Sequence, residues 1–275
     1  MRTLSTVLAL AAMLAAGTAA AAVGKAAGTA SSAIGKQDVR DAIFKLKSPN
    51  PEEVLSSVQI LAASGSKDAV NPLTDLLLSG PRDDITNAII TALGSIGDRA
   101  SVDVLISYLN HRRPDARVVA IMAIEGYKEA KVTSALEGAL RDSDVQVRST
   151  AAMALGKRGS KGSVPILFQA FDRGVADAAI AIGQIGSPAD AQRLAGYLGK
   201  NDVKLLLPGF DEFLRRADFA EPDKIKILDR LFELAGPDVR RFAVAYKASF
   251  PQGTEEDKSL LYKKVCQMVR QIPEE

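Results

Sequence analysis

Side chains that carry chemistry are scarce in this sequence. Among 275 residues there is one cysteine, Cys266, one histidine, His111, and no tryptophan. A single thiol closes no intramolecular disulfide, so the fold must stand on packing. A single imidazole excludes a multi-histidine metal site and leaves any Ser-His-Asp arrangement resting on one exposed candidate in the loop from Asn110 to Pro114. No zinc-binding His-Glu-x-x-His, no phosphate-binding P-loop and no Gly-x-Ser-x-Gly elbow occurs. These gaps point away from catalysis, and no enzyme activity, metal or cofactor is expected. Aromatic residues make up only 5% of the chain, which disfavours a sheet sandwich built on aromatic and β-branched side chains. Charge of one sign is not concentrated either. The net charge is +2 with both signs intermixed, whereas a nucleic-acid binder gathers Lys and Arg on one face, so no nucleic acid is expected. The densest basic cluster, His111, Arg112 and Arg113 with Arg117, reads as a solvated loop between helices.

What the chain does have is alanine and leucine at helical spacing, and a distinctive start. The first residues carry Arg2, an apolar run from Leu4 to Ala16 and small residues ending at Ala20, Ala21 and Ala22. That order of charge, apolar stretch and small residues is the grammar of a secretory signal peptide, and the run is short for a spanning helix. Residues 1–22 are therefore expected to be removed near Ala22, sending the chain to the periplasm of a Gram-negative cell or outside the cell. The membrane is met only during export. Residues 23–36, rich in Gly, Ala and Ser, read as a flexible leader.

Beyond the leader, Asp38 is placed to cap a short helix, and Pro51 stands where a first helical turn accepts proline. A regular register follows. The last apolar residues of successive first helices, Leu61, Leu93, Ile124, Leu155 and Ile182, are spaced 32, 31, 31 and 27 residues apart. Twelve residues after each stands a leucine: Leu73, Leu105, Leu136, Leu167 and Leu194. Four residues after it come Gly65, Gly97, Gly159 and Gly186, where glycine can take the positive φ that ends a helix; the third repeat has Lys128 and should turn differently. One residue before it, Ala92, Ala123, Ala154 and Ala181 imply close helix contact. Arg117 and Arg148 read as salt-bridging or capping residues, with Asp115 and Asp144 nearby in sequence.

The run Val147-Arg148, Ala151-Ala152, Ala154-Leu155-Gly156 and Gly159, followed by Val164-Pro165 and Leu167, resembles the HEAT repeat, in particular the short bacterial form related to bilin-lyase repeats. Gly94 to Gly97 and Gly183 to Gly186 match the same turn, and Ala116-Arg117 with Ala120 matches the helix start. The resemblance spans about half the chain, residues 51–198. It implies an all-α fold, a right-handed α-solenoid of stacked antiparallel helix pairs, with the second helix of each pair on the concave side and protein binding as the usual activity. Repeats are expected over 37–200. Residues 201–275 are expected to form a degenerate, aromatic-rich helical cap, with helices over 202–207, 210–217 and 222–234 and a last one from Thr254. A break is expected at Pro208-Gly209.

Binding is then the expected function, and the first helices carry a candidate surface. Thr91, Met122, Met153 and Ile180 lie two residues before an anchor, and Asn87 and Val118 lie six before one. If they face outward, Val118, Met122, Met153 and Ile180 form an adaptable apolar strip suited to a protein or peptide partner; otherwise they touch the next repeat. The expected role is an exported, non-enzymatic scaffold or adaptor of the cell envelope that binds its partner on the concave face of the solenoid, across which these columns are expected to run. Two alternatives stay open: a lyase or lyase accessory, implied by the bilin-lyase resemblance, and a structural protein that forms homo-oligomers through its aromatic C-terminal third.

Overall fold

A computed structural model of the chain describes residues 34–251 and 259–274. The expected signal peptide lies outside the described residues, as do all but the last three of the expected leader. Among the described residues there are fifteen α-helices and no strand, only an isolated bridge between Leu198 and Asn201. None of these helices is long and apolar enough to cross a membrane.

Helix α1 (Lys36–Lys45) is followed by seven pairs: α2 (Pro51–Ser64) with α3 (Val70–Leu78), α4 (Asp83–Ile96) with α5 (Val102–Ser107), and α6 (Pro114–Ile124) with α7 (Ala130–Ala139). Then come α8 (Val145–Lys157) with α9 (Val164–Asp172), α10 (Asp177–Ile185) with α11 (Pro188–Ala195), α12 (Val203–Arg215) with α13 (Glu221–Phe232), and α14 (Pro237–Lys247) with α15 (Leu260–Gln271). The fold is all-α, of the α-solenoid class. Contacts gather the described residues into two units, 34–111 with 122–127 in one and 112–121 with 128–251 and 259–274 in the other.

In the first unit α1 packs on α2, α2 on α4, and α3 on α4. Its core is built by the register residues: Leu61, Leu73, Leu93, Leu105 and Ile124 are fully buried, with Leu77, Ile89 and Ile90 between them. Burying each such side chain contributes about 1.5–3 kcal/mol, which is why the apolar positions fix the register. The turn chemistry repeats as well. Gly65 and Gly97 close their helices at φ of 61° and 68°, conformations that a side chain would strain. Ser66 and Asp98 then cap short 3₁₀ turns by accepting from the backbone N–H of Asp68 and Ala100. Asp38 departs from the expected role. It is the third residue of α1, not its cap, and its carboxylate accepts the Gly35 N–H at 2.8 Å.

The second unit is layered in the same way: α8 packs on α10, α10 on α12 and α12 on α14, while α11 packs on α13 and α13 on α15. Leu136, Leu155, Leu167, Ile182 and Leu194 are fully buried. Close approach is set by glycine. A Cβ on Gly156 would fall 2.9 Å from the Ala181 Cα, and one on Gly183 would fall 2.2 Å from the Gly209 carbonyl oxygen. Gly159 takes the expected positive φ of 70°, but Gly186 does not; its φ is −68°. It is glycine for space, because a Cβ there would meet the Ile182 carbonyl oxygen at 2.6 Å and the Phe213 ring at 2.9 Å.

The expected break at Pro208-Gly209 is absent, and α12 runs through both residues. Pro208 is exposed, so the carbonyl that loses its amide partner lies on the solvent side, and Gly209 sits where a Cβ would be 2.4 Å from the Ala179 carbonyl oxygen. The pair marks a helix contact. Of the C-terminal aromatics, Phe210, Phe213, Phe219 and Tyr246 are buried, and Tyr246, Phe250 and Tyr262 continue edge to face. The last described helix begins at Leu260 with Ser259 as its cap; Thr254 lies outside the described residues.

Candidate functional site

The polar groups singled out in the sequence are engaged in holding the helices. Arg117 donates to Asp142 at 2.7 Å, with both side chains largely buried, and Asp142 also accepts the Asp144 N–H. Burial pushes the Asp142 carboxyl up, but the hydrogen bonds from Arg117 and Asp144 outweigh it and leave it below the usual carboxylate range. Asp115, the nearer aspartate in sequence, pairs with Arg113 instead. Arg148 donates to the carbonyls of Asp142 and Ser143, and Asp144 caps α8 by accepting from Gln146 and Val147. His111 is half-buried, not exposed as expected, and stacks on Tyr108 with ring centroids 5.3 Å apart. Cys266 is buried in the last helix. Among the described residues no group of three His, Cys, Asp or Glu side chains is placed to hold a metal ion.

Two tyrosines perform a task that the sequence pattern did not reveal. The Tyr127 hydroxyl donates to the Leu93 carbonyl at 3.0 Å and lies 2.7 Å from the Ser101 hydroxyl. Tyr246 does the same to the Leu214 carbonyl at 3.1 Å, and burial pushes its phenol up to about 12. Tyr127 stands three residues beyond the end of α6 and Tyr246 within the last turn of α14; each bonds a carbonyl of a preceding first helix, α4 or α12.

A cleft of about 330 Å³ in the second unit is lined by Lys161, Ile185, Asp190, Arg216, Asp218 and Phe219, among others. Arg216, Asp218 and Asp190 in it are already engaged. Arg216 donates to the carbonyls of Gly183 and Gly186 and forks onto Asp218, whose carboxyl it holds at about 2. That arginine ties the turn after α10 to the turn after α12.

The apolar candidates behave differently. In the first unit Asn87 is half-buried, Thr91 is exposed with its hydroxyl turned back onto the Asn87 carbonyl, and Met122 is 52% exposed. In the second unit Val118 and Ile180 are half-buried and Met153 is 43% exposed. Helical geometry explains Met153. It lies about 200° around the helix from both Ala151 and Leu155, which are fully buried. Ser149 and Asp177, on the same face of α8 and α10, are joined by a hydrogen bond. Sequence reasoning missed Val145, 60% exposed at the start of α8, and Leu205, 41% exposed on α12. Leu205 was hidden by the expected break three residues later. All of these columns lie on the first helices of the pairs, whereas the resemblance puts the second helices on the concave side. What singles out Met122 and Met153 is their exposure, each within its own unit.

HEAT repeats match twice in this sequence, over residues 41–113 and 102–178, together half of the chain. The chain belongs to the HEAT-repeat family. Proteins of this family commonly bind protein partners. No curated protein matches in sequence. Among solved structures, the full-length AP-3 complex in an intermediate open conformation, a homology model, contains a chain 14% identical with a TM-score of 0.57; the match covers 76% of this chain and 44% of that one, less than half its length. The complex of CpcE and CpcF of phycocyanin lyase from Nostoc sp. PCC7120 is 20% identical over 84% of this chain and 93% of that one, with a TM-score of 0.46. Human deoxyhypusine hydroxylase in complex with glycerol is 16% identical over 90% and 88%, with a TM-score of 0.33. The AP-3 likeness is one of fold.

Proposed function

We propose that this HEAT-repeat chain is an exported, non-enzymatic adaptor of the cell envelope that docks a protein segment on exposed apolar side chains of its first helices. The observation that carries the reading is the exposure of Met122 and Met153, which occupy the same repeat position, while Ile124 and Leu155 two residues after them are fully buried. Unbranched thioether side chains adapt to irregular partners, which suits either position to a protein segment with an apolar face. Export is supported by Arg2, the apolar run from Leu4 to Ala16 and the alanines ending at Ala22.

Placing a photo-crosslinking residue at Met153 or Met122 in the native host tests the docking. Adducts to a discrete protein are expected from both positions, and none from Gln169, which is exposed on α9. Substituting both methionines by Asp should abolish the interaction while far-UV circular dichroism stays unchanged. Equal adducts from Gln169, or a doubly substituted chain that still binds, would contradict the reading. The intact mass of protein taken from the envelope checks export separately, since a mature chain should begin near Val23.

A further inference from the structure

We infer that the outer face of α1, in the first unit, docks on an anionic membrane interface, with Phe44 as the inserting side chain. This goes beyond the function proposed above, does not rest on it, and departs from the expectation that the membrane is met only during export. Phe44 is 80% exposed, more than any other large apolar side chain among the described residues. Helix α1 packs on α2 and buries Val39, Ala42 and Leu46, so its core face is complete without the ring. Lys36, Arg40 and Phe44 stand four residues apart and descend one exposed stripe, about 80° wide and about 12 Å long. Lys47 returns to the same side in the turn that follows. Among the described residues Lys36, Arg40 and Lys47 enter no ion pair, whereas Lys45, on another side of the helix, reaches Glu53 at 3.8 Å.

Charge and shape select the partner. The two carboxylates of α1 lie off the stripe and are engaged, Asp38 by the Gly35 N–H and Asp41 by the Gln37 amide, both at 2.8 Å. Residues 36–47 carry four cations against two carboxylates, an excess equal to that of the whole chain. Lys36 also stands at the first helical position, where the positive end of the helix dipole disfavours a cation. Three cations that nothing in the fold neutralises, beside a ring that nothing covers, match an anionic and partly apolar partner. The outer side of a helix is a ridge, whereas a bound peptide lies in a groove. A bilayer interface admits a ridge, because headgroups part around an aromatic ring while basic side chains beside it meet lipid phosphates. Each cation brought to such a surface tightens binding about fivefold, and burying the ring adds about tenfold or more.

The chain contains no tryptophan, so Phe44→Trp places a single reporter in the stripe. Protein taken from its native host is mixed with phosphatidylcholine vesicles, with and without phosphatidylglycerol. The emission of the Phe44→Trp chain should shift several nanometres to the blue on the anionic vesicles alone and return in high salt. Leu78→Trp, in the same unit at 67% exposure, should not shift. In co-sedimentation, Lys36→Gln/Arg40→Gln/Lys47→Gln should bind anionic vesicles about a hundredfold more weakly, and Phe44→Ser about tenfold more weakly. Lys161→Gln/Arg173→Gln/Lys200→Gln removes the same charge from exposed sites of the second unit and should bind as the natural chain does. All of these sites are exposed, and far-UV circular dichroism checks that each variant is folded. No shift in Phe44→Trp, an equal shift in Leu78→Trp, equal binding to neutral vesicles, or an equal loss in the two triple variants overturns the inference. So does an equal shift of Phe44→Trp on soluble polyglutamate, which would make the partner an acidic polypeptide. Crosslinking at Met153 is read separately, so its failure removes the function proposed above and leaves vesicle binding standing.

Discussion

Adding one methyl group should stabilise this protein at one glycine and destabilise it at another in the same unit. Gly138 lies in α7 with nothing within 4 Å of a would-be Cβ, whereas a Cβ on Gly183 in α10 would meet the Gly209 carbonyl oxygen at 2.2 Å and the Glu212 Cβ at 2.7 Å. In both helices alanine removes the backbone entropy cost of glycine, about 0.5–1 kcal/mol. At Gly138 that is the whole effect, and Gly138→Ala should raise Tm by about 1–4 °C for a unit of this size. At Gly183 the methyl must displace backbone only 2.2 Å away, which puts the overpacking cost in the upper part of its usual range, about 2–3 kcal/mol, and outweighs the gain. The net loss for Gly183→Ala is about 1–2 kcal/mol, or a Tm about 2–8 °C lower. Thermal unfolding followed by far-UV circular dichroism, with the two variants and the natural chain side by side, decides the matter. A Gly183→Ala chain as stable as the natural one would refute the idea that glycine sets helix spacing here.

Three further outcomes are expected. Replacing Asp142 by Asn leaves Arg117 buried beside a neutral partner and should cost about 2–3 kcal/mol in urea unfolding near neutral pH. Because the Asp142 carboxyl is depressed in the fold, its contribution is present above the unfolded carboxylate value of about 3.9 and is lost as pH falls through the lower folded value. The gap between the two proteins should therefore be flat from neutral pH to about 5 and then close in acid; a gap that widens in acid contradicts the assignment. Tyr127→Phe removes the bond to the Leu93 carbonyl and should destabilise the first unit by about 1–2 kcal/mol, readable as faster hydrogen exchange in α4. Pro208→Ala restores a backbone donor on the exposed side of α12 and should stabilise the second unit by about 1–3 kcal/mol in chemical denaturation.

Much of the fold was legible because it repeats. Leu61, Leu93, Ile124, Leu155 and Ile182, and the leucines twelve residues after each, are all buried, since a helix pair must bury the same face every time. Local rules failed where tertiary contact overrode them. Pro208-Gly209 has the chemistry of a break but lies against Ala179, and Gly186 has the chemistry of a helix stop but is crowded by Phe213. The tyrosine bonds were invisible because their acceptors are backbone carbonyls more than thirty residues away, which no side-chain pattern marks. At the candidate site the register located Met122 and Met153, but exposure could be read only from the packed helices.

Because within each unit a helix pair is held mainly by the pairs beside it, the chain is also a graduated tether. A pair of 31 residues released under tension yields about 100–110 Å of extended backbone, and the interval of 27 residues that ends at Ile182 yields about 90–97 Å. Pulled slowly from its ends, the protein should lengthen in near-equal strides with a shorter one among them. That short stride would show on the force trace how far the unravelling had travelled.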